Sequence, residues 1–394
     1  MIQPRSLGEA CVSGMYSIDT VIRCYLAGWL GEETAASELK IGIADFRAIL
    51  QDHGLANAVM MPFSIDPALS IAFVDVGSRN FNSPRFDDVI DNLRETPESR
   101  PLCFPLHLSE HPDGLKPAAS GLPQGLIFHV GRCGSTLLCR LLDELLQCTT
   151  IREPEVVNRL LAERMNQLCG DTDCEHALLR LLQSFAFGAR RASGGQTRGC
   201  LVKMTSWNLV AMRDLLDRLD DIPTVFLVRD PIGTAASMIA NPPGWYLAGR
   251  PDSTPQHDEM SRHFATEWVG VADAALRLKT PPLIVDYDAL ITDPWDVVCA
   301  ISDHCRLTVS DATGGPLAAR AILDRYAKST EYERYDPEGR HKRNELSDAD
   351  KVLVSELTSE VWHKVRALKR RHAVHRDGAD SPLPAVTAFG DRSA

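Results

Sequence analysis

The chain has 394 residues, enough for one large domain or two, and its 44% hydrophobic and 24% charged residues are the balance of an ordinary globular protein. A formal net charge of −11 argues against a general nucleic-acid or membrane-surface binder, so an anionic ligand has to be caught by local basic groups and helix ends. The eleven cysteines form no C-x-x-C pair and read as reduced, mostly buried thiols of a cytoplasmic protein, and neither a leader nor a membrane span is expected, because no apolar run reaches about 18 residues.

Residues 15–53 read as helical, with an apolar-rich segment from Met15 to Leu30 and a stripe at Leu39, Ile43, Phe46, Ile49 and Leu50 that Gly54 ends. Ser83 and Pro84 before FDDVIDNLRE open another helix, with serine as N-cap and acids in the first turn. Residues 1–96 are therefore expected as a small, mainly helical module, either a structural extension or a docking module for a substrate or partner. Pro97, Pro101, Pro105, Pro112, Pro117 and Pro123 mark 97–124 as a linker without regular structure, in which His107 and His111 are solvated.

Residues 125–148 read as strand, loop and helix. Leu126–Val130 is an apolar run of strand length, and Leu137, Leu138, Leu141, Leu142, Leu145 and Leu146 share one helix face. Between them, Gly131 and Gly134 permit a tight turn and close approach to a ligand. Ser135, Thr136 and the free N–H groups of the first helical turn make an anion site, and Arg132 adds a fixed charge with a bidentate fork. The loop is not a Walker A motif, because Ser135 stands where that motif has lysine.

Beyond the loop helix, Thr149–Ile151 suggest a short strand, and Glu153 and Glu155 flank Pro154 at the start of a helix. Residues 174–191 are helical, and Cys200–Met204 form a strand that delivers Lys203 to its C-terminal end. The strand at Val225–Val228 runs into Arg229-Asp230-Pro231, with Ser237 eight residues after the arginine. Trp245 and Tyr246 lie in a Pro/Gly-rich loop, where they line a pocket or pack the loop down. A helix over 265–278, a strand over 282–287, a charged stretch over 326–347 and a last helix from Ser347 to about Arg371 follow, and 373–394 reads as a disordered tail. Strands alternating with helices predict a three-layer α/β domain over 125–372, a parallel sheet between helices. Ligands in such sheets bind at the carboxyl ends of the strands, where Gly131, Lys203, Arg229 and Tyr287 all fall.

Gly131-Arg132-Cys133-Gly134-Ser135-Thr136-Leu137-Leu138 resembles the 5′-phosphosulfate-binding loop of sulfotransferases, and PTVFLVRDPIGTAAS (223–237) resembles the same family's 3′-phosphate motif. The likeness spans roughly residues 124–370. It implies a P-loop-like fold, 3′-phosphoadenosine 5′-phosphosulfate (PAPS) as donor, and a donor site made of Arg132, Cys133, Gly134, Ser135, Thr136, Arg229 and Ser237. Cys133 departs from the family's usual serine but keeps the backbone N–H.

Further roles follow from the same resemblance. In the tyrosylprotein and related bacterial sulfotransferases a glutamate at this place is the base that deprotonates the acceptor. Glu153 is the candidate, with helix capping as the alternative. Val202-Lys203-Met204-Thr205 is similar to a Val-Lys-Thr-His segment of cytosolic sulfotransferases: Lys203 is kept near the sulfuryl group and Thr205 replaces the histidine. Tyr287 is placed by the adenine. Lys328, Arg340, Lys342 and Arg343 are candidates for the basic loop over the 3′-phosphate, with Arg343 carried to the donor site. The resemblance thus implies sulfuryl transfer by Glu153, Lys203 and Arg132, without a metal, to a hydroxyl or amine of a small molecule, carbohydrate or peptide, with neither nucleic acid nor membrane as partner. A P-loop kinase or NTPase and a non-catalytic nucleotide-binding scaffold are the alternatives.

Overall fold

The computed structural model describes residues 17–77, 83, 85–95, 102–108, 121–194, 199–217, 219, 222–243, 246–247, 257–309, 314–325 and 346–377. Ser17 accepts the Thr20 N–H at 3.1 Å and caps α1 (Ile18–Leu26). With α2 (Glu32–Glu38) and α3 (Ile43–Asp52), which buries Phe46 and Leu50, it forms the expected helical start.

The chain then departs from a mainly helical module. β1 (Met60–Ile65), β2 (Ser70–Asp75) and β3 (Cys103–His107) pair antiparallel in the order β1–β2–β3, with α4 (Phe86–Glu95) between β2 and β3 in the chain. β3 lies inside the segment expected as linker. Its buried Phe104 and Leu106 alternate with exposed Cys103 and Pro105, the two-residue period of a strand with one face inward. The proline is tolerated because β3 is an edge strand, and the Pro105 carbonyl turns outward to accept from Arg23 Nη1 at 3.0 Å. His107, expected as a solvated loop residue, is half-buried and pairs opposite Ser70. His111 lies outside the described residues.

The larger sheet consists of β4 (Gly125–His129), β5 (Cys148–Arg152), β6 (Gly199–Lys203), β7 (Thr224–Val228) and β8 (Leu283–Asp286), all parallel in the order β5–β6–β4–β7–β8. Every residue of β4 and β7 is buried, which is why they read as unbroken apolar runs. The chain leaves β4 towards one edge of the sheet and leaves β7 towards the other. The loops after β4 and β7 therefore face each other across the point where the winding reverses, the usual place for a ligand in an open α/β sheet.

α5 (Ser135–Leu145), α6 (Glu155–Met165), α7 (Asp171–Ala192), α8 (Asn208–Leu216), α9 (Pro231–Ala240) and α10 (His257–Leu276) are the principal helices between the strands. α11 (Tyr287–Thr292), α12 (Pro294–Cys305), α13 (Gly315–Leu323) and α14 (Asp348–Asp377) follow β8. α14 runs past the expected end of the domain, and residues 378–394 lie outside those described. One continuous hydrophobic core holds Val21, Met60 and Phe86 from the N-terminal part together with Leu138, Phe185 and Phe226. Phe86 meets Phe185 edge-on at 5.5 Å, and Arg191 of α7 donates to the carbonyls of Ala56 at 2.6 Å and Ala58 at 2.7 Å.

Candidate active site

Past β4 the chain turns through Gly131 (φ +77), Arg132 (φ +47) and Gly134 (φ +84) into α5. A Cβ on Gly134 would also stand 3.0 Å from the Tyr287 ring, so neither the backbone nor the space suits another residue. No side chain caps α5, which leaves its first-turn N–H groups and the positive end of its dipole facing the loop. Ser135 is buried and Thr136 half-buried in that turn. The Cys133 side chain is wholly buried and its thiol is pushed up to about 12 by that burial. This position offers the loop its N–H rather than its side chain, so a cysteine serves as well as a serine. Arg132 Nη2 donates to the Asn241 carbonyl at 2.6 Å and straps the loop to the end of α9.

Three neighbouring strand ends bring Glu153, Lys203 and His129 together. Arg152 pairs opposite Lys203, and the Glu153 N–H continues the ladder to the Lys203 carbonyl at 2.7 Å. Glu153 itself is left-handed, at φ +50. Lys203 Nζ lies 2.6 Å from Glu153 Oε1 with only 2% of its side chain exposed. His129 Nε2 lies 3.4 Å from the same oxygen. Burial alone would raise the Glu153 carboxyl, but the Lys203 ammonium and the His129 contact outweigh it and hold the group well below the usual carboxylate range. Burial also lowers the His129 imidazole. His129 Nδ1 accepts the Gly131 N–H at 3.0 Å, so the neutral ring carries its proton on Nε2, towards Glu153.

Glu153 is not a helix cap. The Glu155 N–H at the start of α6 is held by Asp87 Oδ2 of α4 at 2.9 Å. Arg152 turns away from the cluster to the Asp143 carboxylate of α5 and, through Nη1, to the Ser83 carbonyl at 3.1 Å, which fastens β5 to its surroundings.

Across the sheet, Arg229 Nη1 donates to the Arg132 carbonyl at 3.2 Å and its guanidinium sits 4.5 Å from the centre of the Tyr287 ring. Trp268 Nε1 fixes the Arg229 carbonyl at 3.1 Å. Asp230 caps α9 through the Gly233 N–H at 2.6 Å, and Ser237 is half-buried on the second turn of that helix. The donor-site candidates Arg132, Arg229 and Tyr287 are thus in mutual contact through one guanidinium and one loop. Tyr246 is buried against His263 and Phe264, with ring centres 4.9 and 5.0 Å away, and packs its loop down. Arg343, Lys328, Arg340, Lys342 and Trp245 lie outside the described residues.

His129 is the residue that sequence reasoning missed. Its signal was a single titratable side chain at the end of an otherwise apolar strand, two positions before the loop. Thr205, where cytosolic sulfotransferases have histidine, sits in the turn into α8 and gives its N–H to Asn208 Oδ1 at 2.8 Å. Among the described residues, no group of three or more His, Cys, Asp or Glu side chains is placed to hold a metal ion, and no helix is long and apolar enough to cross a membrane.

Residues 126–311 match the family model described as "Sulfotransferase family". No curated protein matches the sequence. Among solved structures, the sulfotransferase domain of the Synechococcus PCC 7002 olefin synthase is 17% identical, with 63% of this chain and 97% of that one covered and a TM-score of 0.34. Sulfotransferase STF9 from Mycobacterium avium is 15% identical, with 70% and 80% covered and a TM-score of 0.37. The matched span of the family model takes in the carboxyl ends of all five parallel strands and every described residue of the cluster above. Over residues 126–311 the α/β part of this chain is thus similar to the sulfotransferase family.

Proposed function

We propose that this protein transfers a sulfuryl group from PAPS to a hydroxyl or amine of a small molecule, carbohydrate or peptide, in the cytoplasm and without a metal. The observation that carries this reading is the ionised Glu153, paired to Lys203 at the strand ends beside an uncapped helix N-terminus. The loop N–H groups from Cys133 to Thr136 and Arg132 suit the 5′-phosphosulfate. Arg229 and Ser237 suit the 3′-phosphate, Tyr287 the adenine, and Arg343 the basic loop over the nucleotide.

In the step itself, Glu153 takes the acceptor's proton as the acceptor oxygen or nitrogen bonds to sulfur. The bond from sulfur to the bridging phosphate oxygen breaks, and 3′-phosphoadenosine 5′-phosphate leaves with the electron pair. Lys203, Arg132 and the loop N–H groups stabilise the charge that gathers on the transferred group and on that oxygen. The Lys203 contact keeps Glu153 a weak base at rest. An anionic sulfuryl group competes for the same ammonium, and whatever it draws away returns basicity to Glu153.

The test is thermal stabilisation by 3′-phosphoadenosine 5′-phosphate against ADP and against ATP with Mg²⁺. At about 100 times its dissociation constant the ligand adds roughly 2.7 kcal/mol. A shift confined to the 3′-phosphorylated nucleotide, lost in Arg229→Ala while the fold is kept, supports the reading. A shift confined to Mg-ATP, or none with any nucleotide, overturns it. Sulfate release from PAPS, with water as acceptor, is expected to fall about 100-fold in Glu153→Gln, the usual order for loss of a general base.

A further inference from the structure

Sulfuryl transfer as described leaves His129 without a part, although its ring touches both halves of the site. Nδ1 takes the N–H of Gly131, the first residue of the donor loop, at 3.0 Å. Nε2 stands 3.4 Å from Glu153 Oε1. The ring is 5% exposed and burial holds it neutral, so Nδ1 is fixed as acceptor towards the loop, while Nε2 faces the carboxylate at contact distance without a formed hydrogen bond. Lys203 and His129 both address Oε1. No described residue bonds Oε2, and 24% of the Glu153 side chain stays exposed, so Oε2 is the oxygen turned to incoming substrate.

We propose that His129 is a positioning residue that sets the donor loop in register with Glu153, so that the loop's anion site and Oε2 are held at a fixed separation. It exchanges no proton during turnover. The proposal rests on the sulfuryl-transfer reading. Its physical content is that one rigid, buried ring spans two groups which otherwise belong to different strands, β4 and β5, that are not neighbours in the sheet.

Two substitutions separate the two ends of the ring. In His129→Asn the amide oxygen falls near the place of Nδ1 and accepts from Gly131, but it is too short to reach Glu153. In His129→Gln the amide nitrogen falls near the place of Nε2, and the Gly131 N–H loses its acceptor. His129→Asn is expected to keep the dissociation constant of 3′-phosphoadenosine 5′-phosphate within about twofold. Its maximal rate of sulfate release from PAPS should fall about tenfold or more. His129→Gln is expected to weaken the nucleotide about fivefold or more with the smaller loss of maximal rate. Equal losses of affinity and rate in both variants, or no loss in either, overturn the proposal.

A spectroscopic arm does not depend on turnover or on the variants folding. In wild-type protein with ¹⁵N-labelled histidine, His129 is expected as a neutral ring with its proton on Nε2 at neutral pH. Binding of the nucleotide with a proton found on Nδ1 instead sinks the role of His129 alone. Absence of nucleotide binding sinks the donor reading and this role with it.

Discussion

Glu153 is held at φ +50, a conformation that costs a non-glycine residue of order 1–3 kcal/mol and persists only where its surroundings enforce it. The ladder bond to Lys203 and the ion pair supply that enforcement, against the preference of a residue before proline for extended backbone. Lys203 is almost wholly buried, so removing the Glu153 carboxylate, its counter-charge among the described residues, leaves an isolated ammonium in the core, where breaking a buried pair costs about 3–5 kcal/mol. Glu153→Leu is therefore expected to be strongly destabilised in denaturant unfolding. The double variant Glu153→Leu/Lys203→Met should recover most of that loss while remaining without sulfate release. Additive losses would mean the two side chains are not coupled. A pH signature follows from the same pair. Despite burial, Lys203 and His129 hold the Glu153 carboxyl below its unfolded value of about 4.3, so its ionised form stabilises the fold above that pH and the contribution is lost as pH falls through the folded value. The stability gap between wild type and Glu153→Gln is expected to be full at about pH 7 and to shrink below about pH 4. Glu153 and Lys203 were legible because each lies at the end of a short strand, at a place that the family resemblance marks. Their direct contact was not legible, since it depends on β5 and β6 being neighbours, and His129 hid as one letter in an apolar run.

At the scale of elements, the turn from β4 into α5 is the least tolerant piece of the site. Gly134 is fixed both by its left-handed backbone and by the Tyr287 ring 3.0 Å from where a Cβ would stand. Gly134→Ala is expected to cost about 1–3 kcal/mol in unfolding and to weaken 3′-phosphoadenosine 5′-phosphate about tenfold or more, because the turn that aims the N–H groups must shift. Unchanged nucleotide affinity would move the anion site away from this turn. The parallel strands could be read because burial on both faces makes them continuous apolar runs. The antiparallel sheet could not. β1 carries Pro62, β3 carries Pro105, and the proline density around β3 outweighed the alternation of Phe104 and Leu106 that marks it as an edge strand. Sheet order was equally hidden, because nothing local in β4 tells that its partners are β6 and β7.

For the molecule as a whole, a net charge of −11 is combined with Arg132, Lys203 and Arg229 at the strand ends, so capture of an anion there is a local matter. The cysteines behave alike. Cys133, Cys174, Cys200 and Cys305 have thiols pushed up to about 12 by burial, and Cys103 is the exposed one among those described. Maleimide labelling of the native protein at neutral pH is expected to modify Cys103 quickly and those four not at all, and all eleven after denaturation. Rapid native labelling of Cys133 would show that the donor loop opens. The N-terminal part shares its core with the α/β part, which its separate appearance in the sequence did not suggest.

The strand order has a consequence for folding. β5 pairs with β6 and β7 with β8, each with the strand next to it in sequence, but β4 pairs only with strands far along the chain. The sheet is therefore complete only when β4 is inserted between the two outer pairs. The donor loop, His129 and the Arg229 bridge all depend on that insertion. A refolding chain in which β4 is paired on one side alone is therefore expected to lack a competent anion site.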